Sequence, residues 1–289
     1  MKINNTVRRV SYIFLCILPF LNIVVVGVRA LRIPVVYQLI GGVIFAAVII
    51  AAWILGARRV IESDVERSRR IALTGLLFIA PTAVVALLWV GLATPWDATP
   101  AENEVRYIVL LFNSISVTIA FVFLKELLSD ASERFYSTLG FAANILSGAA
   151  YLIWTSFEVG AHAVQVRDGQ IPPAIVALSD IFDILLFIAC VLTYLATAAF
   201  AVSLGKIGWL GQGATRAYVI INLLALVLIM VRGFSFPDPT ISSTPWYINL
   251  GFIVGIPAVP WIIPFLFGVV LLRRVGDENY NSELKNTIA

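Results

Sequence analysis

Eight long runs of apolar residues, separated by short polar connections, dominate the pattern of the chain. A helix needs roughly 20 mostly apolar residues to cross about 30 Å of hydrocarbon, and the runs are close to that length or longer. The pattern therefore predicts an all-α integral membrane protein: a single domain, built as a bundle of eight transmembrane helices and ending in a polar cytoplasmic tail at 273–289. The predicted spans cover residues 10–28, 35–57, 71–93, 106–127, 135–157, 175–204, 217–232 and 248–272.

Basic residues are divided unevenly between the two sides of this predicted bundle. With eight spans both termini share a side, and that side carries 15 of the 20 Lys and Arg residues. Cytoplasmic loops are enriched in Lys and Arg, so the asymmetry predicts cytoplasmic N- and C-termini. The sequon Asn4-Asn5-Thr6 lies on this same side and none occurs in a predicted outer loop, which favours a bacterial inner membrane.

Composition excludes several classes of function. The chain is 60% hydrophobic and only 13% charged, whereas an ordinary soluble domain is about a quarter charged. One histidine and two cysteines are too few for a bis-histidine haem, a di-iron centre or a Cys/His zinc site, so no cofactor is expected. The net charge of +3 is small and dispersed, which argues against nucleic-acid binding. No nucleophile-elbow or metalloprotease motif occurs, so the sequence favours a protein that is not an enzyme.

Two aspartates open the predicted sixth span, in the segment Leu178-Ser179-Asp180-Ile181-Phe182-Asp183. Their spacing of three places Asp180 and Asp183 on one helix face, about 4.5 Å apart along the axis. One interpretation is a site for a cation or a polar headgroup at the outer interface. The other is structural: the carboxylates favour the helix N-terminus and pair with Arg106 or Arg232 at the same depth.

Small and hydroxyl residues recur at helical spacing in three predicted spans. The set comprises Asn113, Ser116 and Ala120 in the fourth span, Ser137, Gly140, Asn144, Ser147 and Tyr151 in the fifth, and Phe187, Cys190, Tyr194, Thr197 and Ala201 in the sixth. Such stripes allow helices to approach closely and hydrogen-bond to each other, which explains them without a ligand. The alternative is a polar cavity beneath the aspartates, where Asn113, Asn144 and Tyr194 contact a ligand.

The predicted eighth span contains three prolines within eight residues, Pro257, Pro260 and Pro264. Each removes a backbone donor and clashes with the preceding turn, so a broken helix is expected. The carbonyl groups released in this way must find partners in neighbouring helices, side chains or water. The break could act as a gate or hinge, or be a static kink that fits the bundle.

Two further segments carry simple structural expectations. Residues 58–70 are predicted to form a cytoplasmic helical extension in which Glu66 and Arg70 pair at i,i+4. The single histidine, His162, is predicted to be a solvated residue of the outer loop that follows the fifth span.

These patterns predict passive binding or translocation of a small amphipathic molecule or lipid. Asp180 and Asp183 would engage a cationic or hydroxylated group, Asn144, Asn113 and Tyr194 would contact the ligand, and the proline-rich helix would provide the gate. The expected partners are membrane lipids and the ligand. Two alternatives stay open: a scaffold or assembly subunit that binds another membrane protein, and an intramembrane enzyme that uses the aspartate pair.

Overall fold

The computed structural model describes residues 5–27, 34–91, 98–233 and 250–288, and within these residues the chain is helical without any strand. The helices are α1 (Asn5–Gly27), α2 (Pro34–Ala52), α3 (Arg59–Glu62), α4 (Glu66–Gly91), α5 (Pro100–Asp130), α6 (Phe135–Asp168), α7 (Pro173–Lys206), α8 (Gln212–Arg232), α9 (Leu250–Gly255) and α10 (Ile262–Ile288). A π-helical turn, Trp53–Ala57, extends α2, and a 3-10 turn, Val259–Trp261, precedes α10.

Six segments of the described residues are long and apolar enough to cross a membrane. They are Leu39–Glu62, Pro100–Asp130, Phe135–Asp168, Pro173–Lys206, Gln212–Arg232 and Val259–Gly276. Helices α1 and α4 lie over the predicted first and third spans. The chain is therefore all-helical and compatible with a multi-pass membrane protein, as the apolar pattern predicted.

Helix α6 is longer than the sequence pattern indicated, and the prediction of an outer loop around His162 is wrong. The helix has 34 residues, or about 51 Å at 1.5 Å per residue, and includes the segment that was predicted to follow the fifth span. It ends only at Gly169, whose φ of 80° is in the left-handed region and whose N–H bonds to the Gln165 carbonyl. His162 is thus held on a helix face, and its side chain is only 13% exposed.

The polar segment 58–70 was predicted to form one helical extension, and the structure confirms this only in part. The helix is interrupted at 63–65, where Ser63 Oγ accepts a hydrogen bond from Val65 N. The extension is therefore divided between α3 and the first turn of α4. The predicted pair is confirmed, because Arg70 Nε lies 2.9 Å from Glu66 Oε1.

Helix α6 packs along both α5 and α7, and α4 packs along α10 and α5. Glycines set the closest approaches. A Cβ added at Gly268 of α10 would lie 2.7 Å from the Gly75 carbonyl oxygen of α4, and one at Gly56 would clash with the Leu272 carbonyl group. Such contacts let backbones meet in a bundle where apolar lipid gives no hydrophobic drive for association.

The upper end of the bundle is defined here as the end where α5 and α7 begin and α6 and α8 end; the lower end is opposite. At the lower end Glu133, between α5 and α6, is 7% exposed. Its carboxylate accepts hydrogen bonds from Tyr136 N at 3.1 Å, Ser137 N at 3.0 Å and Ser203 Oγ of α7 at 2.6 Å. Burial alone raises the pKa of the Glu133 carboxyl, but the hydrogen bonds outweigh it and the pKa lies below its ordinary value.

Candidate functional site

The upper end brings charged side chains of three helices into the bundle interior. Arg106 of α5 is 2% exposed and Asp183 of α7 is 9% exposed. Glu158 of α6 has a side chain that is 15% exposed, and its carboxylate lies 3.7 Å from His162 Nε2, one turn further along. Asp183 is close enough to repel Glu158 electrostatically. Charged groups this deeply buried are rare in membrane proteins and mark functional sites.

The local sequence explains why α5 begins early enough to place Arg106 at the upper end. Thr99 and Glu102 form a capping box in which Thr99 Oγ1 accepts from Glu102 N and Glu102 Oε2 accepts from Thr99 N at 2.7 Å. Pro100 occupies the first helical position, where its missing N–H costs no hydrogen bond. The helix therefore begins before the apolar run, and its second turn carries Asn103, whose side-chain oxygen accepts from Arg106 Nη1.

Tyr107 is the residue on which the cluster converges. Its ring stacks on His162 at a centroid distance of 5.1 Å and an interplanar angle of 9°, and meets Trp154 edge-on at 5.6 Å. Glu158, Arg106 and Asp183 all act electrostatically on its phenol. The Glu158 carboxylate thus lies beside an aromatic stack, and Asp183 is near enough to act on the same phenol. We call this arrangement the carboxylate–aromatic cluster: Tyr107, Trp154, Glu158, His162 and Asp183.

Two buried side chains below Arg106 have hydrogen-bonding atoms without a partner in the described part of the chain. They are Trp154, through Nε1, and Asn113, through both Nδ2 and Oδ1; each side chain is 1% exposed. Leaving a buried donor or acceptor unpaired costs about 1–3 kcal/mol. Such orphans point to a polar partner outside the described part of the chain.

The last membrane-spanning segment is broken, as the three prolines predicted. Helix α9 ends at Gly255, and the backbone resumes a helical path only at the turn Val259–Trp261. At this break Ile256 N donates to Ile253 O and Val259 N to Ile256 O, in short i→i−3 turns. Among the carbonyl groups at the break, those of Val254 and Pro257 do not receive their usual helical donors, Ala258 N and Trp261 N; Trp261 N donates to Ala258 O instead.

Tyrosines of the neighbouring helices satisfy these carbonyl groups. Tyr194 of α7 donates to the Val254 carbonyl at 2.8 Å, and Tyr151 of α6 donates to the Pro257 carbonyl at 3.0 Å. Tyr151 Oη also lies 3.4 Å from Cys190 Sγ. Because its single hydrogen is given to Pro257, the thiol is the donor in that contact. The break is thus tied to α6 and α7 by side-chain hydrogen bonds.

The sequence-predicted residues fall into separate levels along the bundle. Asp183 lies in the upper cluster, whereas Tyr194 is eleven residues further along α7, about 16 Å lower, where it contacts the break. Asn144 of α6 lies near the level of Tyr194, between the contacts of Ser147 and Gly140 with α7, and donates from Nδ2 to the Thr118 carbonyl of α5 at 3.3 Å. Asn113 lies on α5 between the Tyr107 and Thr118 contacts. The backbone of Asp180 lies in α7, but its side chain is outside the described residues.

The polar stripes also form packing contacts between helices. Ser147 Oγ donates to the Ala189 carbonyl of α7 at 2.8 Å and lies 2.6 Å from Thr193 Oγ1. A Cβ added at Gly140 would lie 2.7 Å from the Phe200 ring of α7. These contacts give the stripes of α6 and α7 the interhelical role that small and hydroxyl residues have in membrane bundles.

Sequence reasoning missed the residues of α6 that complete the cluster. The stripe that reaches Tyr151 continues at the same spacing through Trp154, Glu158 and His162. The signal was present, but the predicted span ended at 157, and the continuation was assigned to a loop. Arg106 was considered only as a possible ion-pair partner of the aspartates.

No group of three or more His, Cys, Asp or Glu residues in the described ranges is arranged to hold a metal ion. Comparison of the chain with known protein families, curated proteins and solved structures finds no match. The function must therefore be inferred from the geometry of the site itself.

Proposed function

We propose that this protein binds, and passively translocates, a small amphipathic molecule or lipid whose polar group enters the upper end of the bundle. The observation that carries the proposal is the carboxylate–aromatic cluster, in which Glu158 and Asp183 are withdrawn from solvent and interact electrostatically at the upper end of a mostly apolar bundle. Placing ionisable groups there is costly, and helix packing alone does not require them.

The exposed surface of the helices supports an amphipathic ligand over a fully polar one. Large apolar side chains of α8 are open to the surroundings: Ile220, Leu224, Val227, Met230 and Val231 are 56–80% exposed. A molecule with an alkyl chain can leave its tail along such a surface in the lipid while its polar group reaches the cluster.

The break between α9 and α10 is the proposed gate, with Pro257, Pro260 and Pro264 as its hinge residues. It lies beside Tyr151, one to two turns below Trp154 and Glu158 on α6, and beside Tyr194, about three turns below Asp183 on α7. Because side-chain hydroxyls rather than backbone N–H groups hold its carbonyls, the segment can change partners without unwinding a continuous helix.

For the full chain we propose eight spans with both termini in the cytoplasm of a bacterium. The test is a pair of reporter fusions, one after Gly169 and one after Ala289. A reporter active only in the cytoplasm is expected to work after Ala289, and one active only outside the membrane is expected to work after Gly169. The reverse result would overturn the orientation, and equal results at both sites would overturn the span count.

The function itself is tested by native mass spectrometry of the protein extracted in its own lipids. A discrete stoichiometric bound mass is expected in the wild type, reduced in Glu158→Gln and lost when Asp180→Asn and Asp183→Asn are combined. Glu126→Gln is the control, since Glu126 is an exposed lower-end carboxylate paired with Lys125 at 2.8 Å.

The other outcomes separate the alternatives. Bulk lipid adducts together with a retained second polypeptide would replace the proposal by the scaffold role. A bound mass that changes into a product on incubation would favour the enzyme. If the double variant does not insert or fold while Glu158→Gln keeps its ligand, the acidic groups are structural and the proposed site is wrong.

A further inference from the structure

We infer that the cluster recognises an ammonium group that carries an oxygen on a neighbouring carbon, as in an amino alcohol or an ethanolamine-type headgroup. The inference rests on the proposed function and specifies its ligand. It combines three observations: two carboxylates near enough to interact electrostatically, an aromatic stack beside one of them, and a buried indole N–H that lacks a partner in the described part of the chain.

The first step is the sign of the charge. Among the described side chains of the upper end, Glu102, Glu104, Glu158 and Asp183 are acidic and Arg106 and Arg232 are basic, while Arg167 and Asp168 pair with each other at 2.7 Å. Acidic groups therefore outnumber basic ones. Asp183 acts unfavourably on a charged Glu158 in the interior, and a cation beside Glu158 offsets that repulsion.

The second step is the kind of cation. Tyr107 lies against His162 at 5.1 Å and against Trp154 at 5.6 Å between ring centroids, and both carboxylates act on its phenol. Aromatic faces attract organic cations within about 6 Å and are used to bind alkylated ammonium groups. The absence of a metal-binding group of side chains in the described ranges agrees with an organic cation.

The third step is the adjacent oxygen. Trp154 lies one turn below Glu158 on the same face of α6, about 6 Å along the axis, and its buried Nε1 has no hydrogen-bond partner there. An indole N–H can only donate, so it requires an acceptor. An ammonium group at Glu158 and an oxygen on the neighbouring carbon are close enough to each other for both contacts to form at once.

The decisive experiment measures binding of a matched set of probes to the wild-type protein in an uncharged maltoside detergent. The set has one alkyl chain length and four polar ends: a vicinal amino alcohol, a simple amine, a simple alcohol and a carboxylate. The amino alcohol is expected to bind best, about tenfold more tightly than the amine, which corresponds to one hydrogen bond. The alcohol and the carboxylate are expected to bind weakest.

Two variants assign the contacts. Trp154→Phe keeps an aromatic ring but removes the N–H. It is expected to weaken binding of the amino alcohol about tenfold and to leave binding of the simple amine unchanged. Trp209→Phe, at the lower end where Arg274 covers the ring at 4.7 Å, is the matched control and should change neither. Glu158→Gln is expected to weaken binding of the amino alcohol and of the simple amine at least tenfold and to leave binding of the alcohol unchanged.

Failure of the inference and failure of the proposed function give different results. If the alcohol or the carboxylate binds as tightly as the amines, ammonium recognition is wrong, although an amphipathic ligand site remains. If Trp154→Phe weakens the simple amine as much as the amino alcohol, the contact to oxygen is wrong. If no probe binds, both proposals are overturned. Binding of ethanolamine is then compared with binding of the alkyl amino alcohol. Equal affinities indicate that the ligand is a free polar solute, and binding that requires the alkyl chain indicates a lipid headgroup.

Discussion

Glu133, just before helix α6, and Glu158, within it, are both largely withdrawn from solvent. Their carboxylates differ in how completely they are hydrogen-bonded. Glu133 at the lower end accepts three hydrogen bonds, one of them from Ser203 of α7. Glu158 at the upper end has His162 at 3.7 Å and the repulsion of Asp183. A fully satisfied carboxylate fixes a helix junction, whereas an incompletely satisfied one is available to a ligand.

The largest expected effect is the loss of the satisfied carboxylate. Glu133→Ala leaves the Ser203 hydroxyl and two N–H groups of the first α6 turn without their acceptor, so the free energy of unfolding should fall by about 3 kcal/mol. Reversible unfolding by dodecyl sulfate in mixed micelles measures this change. Glu126→Ala at the exposed lower end is the control, and an equal loss there would show that Glu133 has no special role.

Loss of a hydrogen bond at the break before α10 should destabilise the protein less than loss of Glu133. Tyr151→Phe removes the hydroxyl that donates to the Pro257 carbonyl, and the expected loss of stability is about 1 kcal/mol, typical of hydrogen bonds between membrane helices. Tyr136→Phe, whose ring lies 4.5 Å from Lys206 Nζ at the lower end, is the matched control for loss of a tyrosine hydroxyl. If Tyr151→Phe were as stable as that control, the hydroxyl would not be needed to hold the break.

The pH dependence of stability separates the two ends further. Because the pKa of Glu133 is lower in the folded state than its ordinary value, its stabilisation is complete above the unfolded pKa of about 4.3. It is lost as the pH falls from there through the folded pKa. Unfolding measured from neutral pH to below pH 4 should therefore show a steeper loss in wild type than in Glu133→Gln. Identical curves would contradict the assignment.

The smallest expected effect has the opposite sign. Glu158→Gln removes the repulsion with Asp183, so the free energy of unfolding without ligand should stay equal or rise by up to about 1 kcal/mol, the size of a modest charge interaction. The same unfolding assay measures it. A loss as large as that of Glu133→Ala would show that Glu158 is a structural carboxylate, and the contrast between the two ends would disappear.

The sequence predicted the helices well because membrane crossing imposes a strong local constraint on composition. Apolar runs located the helical segments, and the spacing of three prolines predicted the break before α10. Local rules also found the pair Glu66–Arg70. These features depend on residues that are close together in the chain.

The candidate site was harder to predict because its contacts join distant segments. Tyr194 lies 60 positions from Val254 and Tyr151 lies 106 positions from Pro257, and nothing in either local pattern indicates the pairing. The extent of α6 was missed because a helix can continue beyond the apolar run that identifies it. Glu158 and His162 were therefore assigned to an outer loop instead of to the same helix face as Trp154.

The glycine contacts of α10 have a consequence for the break above it. Through Gly268 and Leu272 the backbone of α10 is in direct contact with α4 and with the turn that ends α2, whereas α9 packs mainly on α8. One apolar run of the sequence is thus divided between a part that packs on α2 and α4 and a part that packs on α8. We therefore expect a displacement of α8 to move α9 more than α10, and to act first on the Tyr194–Val254 and Tyr151–Pro257 hydrogen bonds at the break between them.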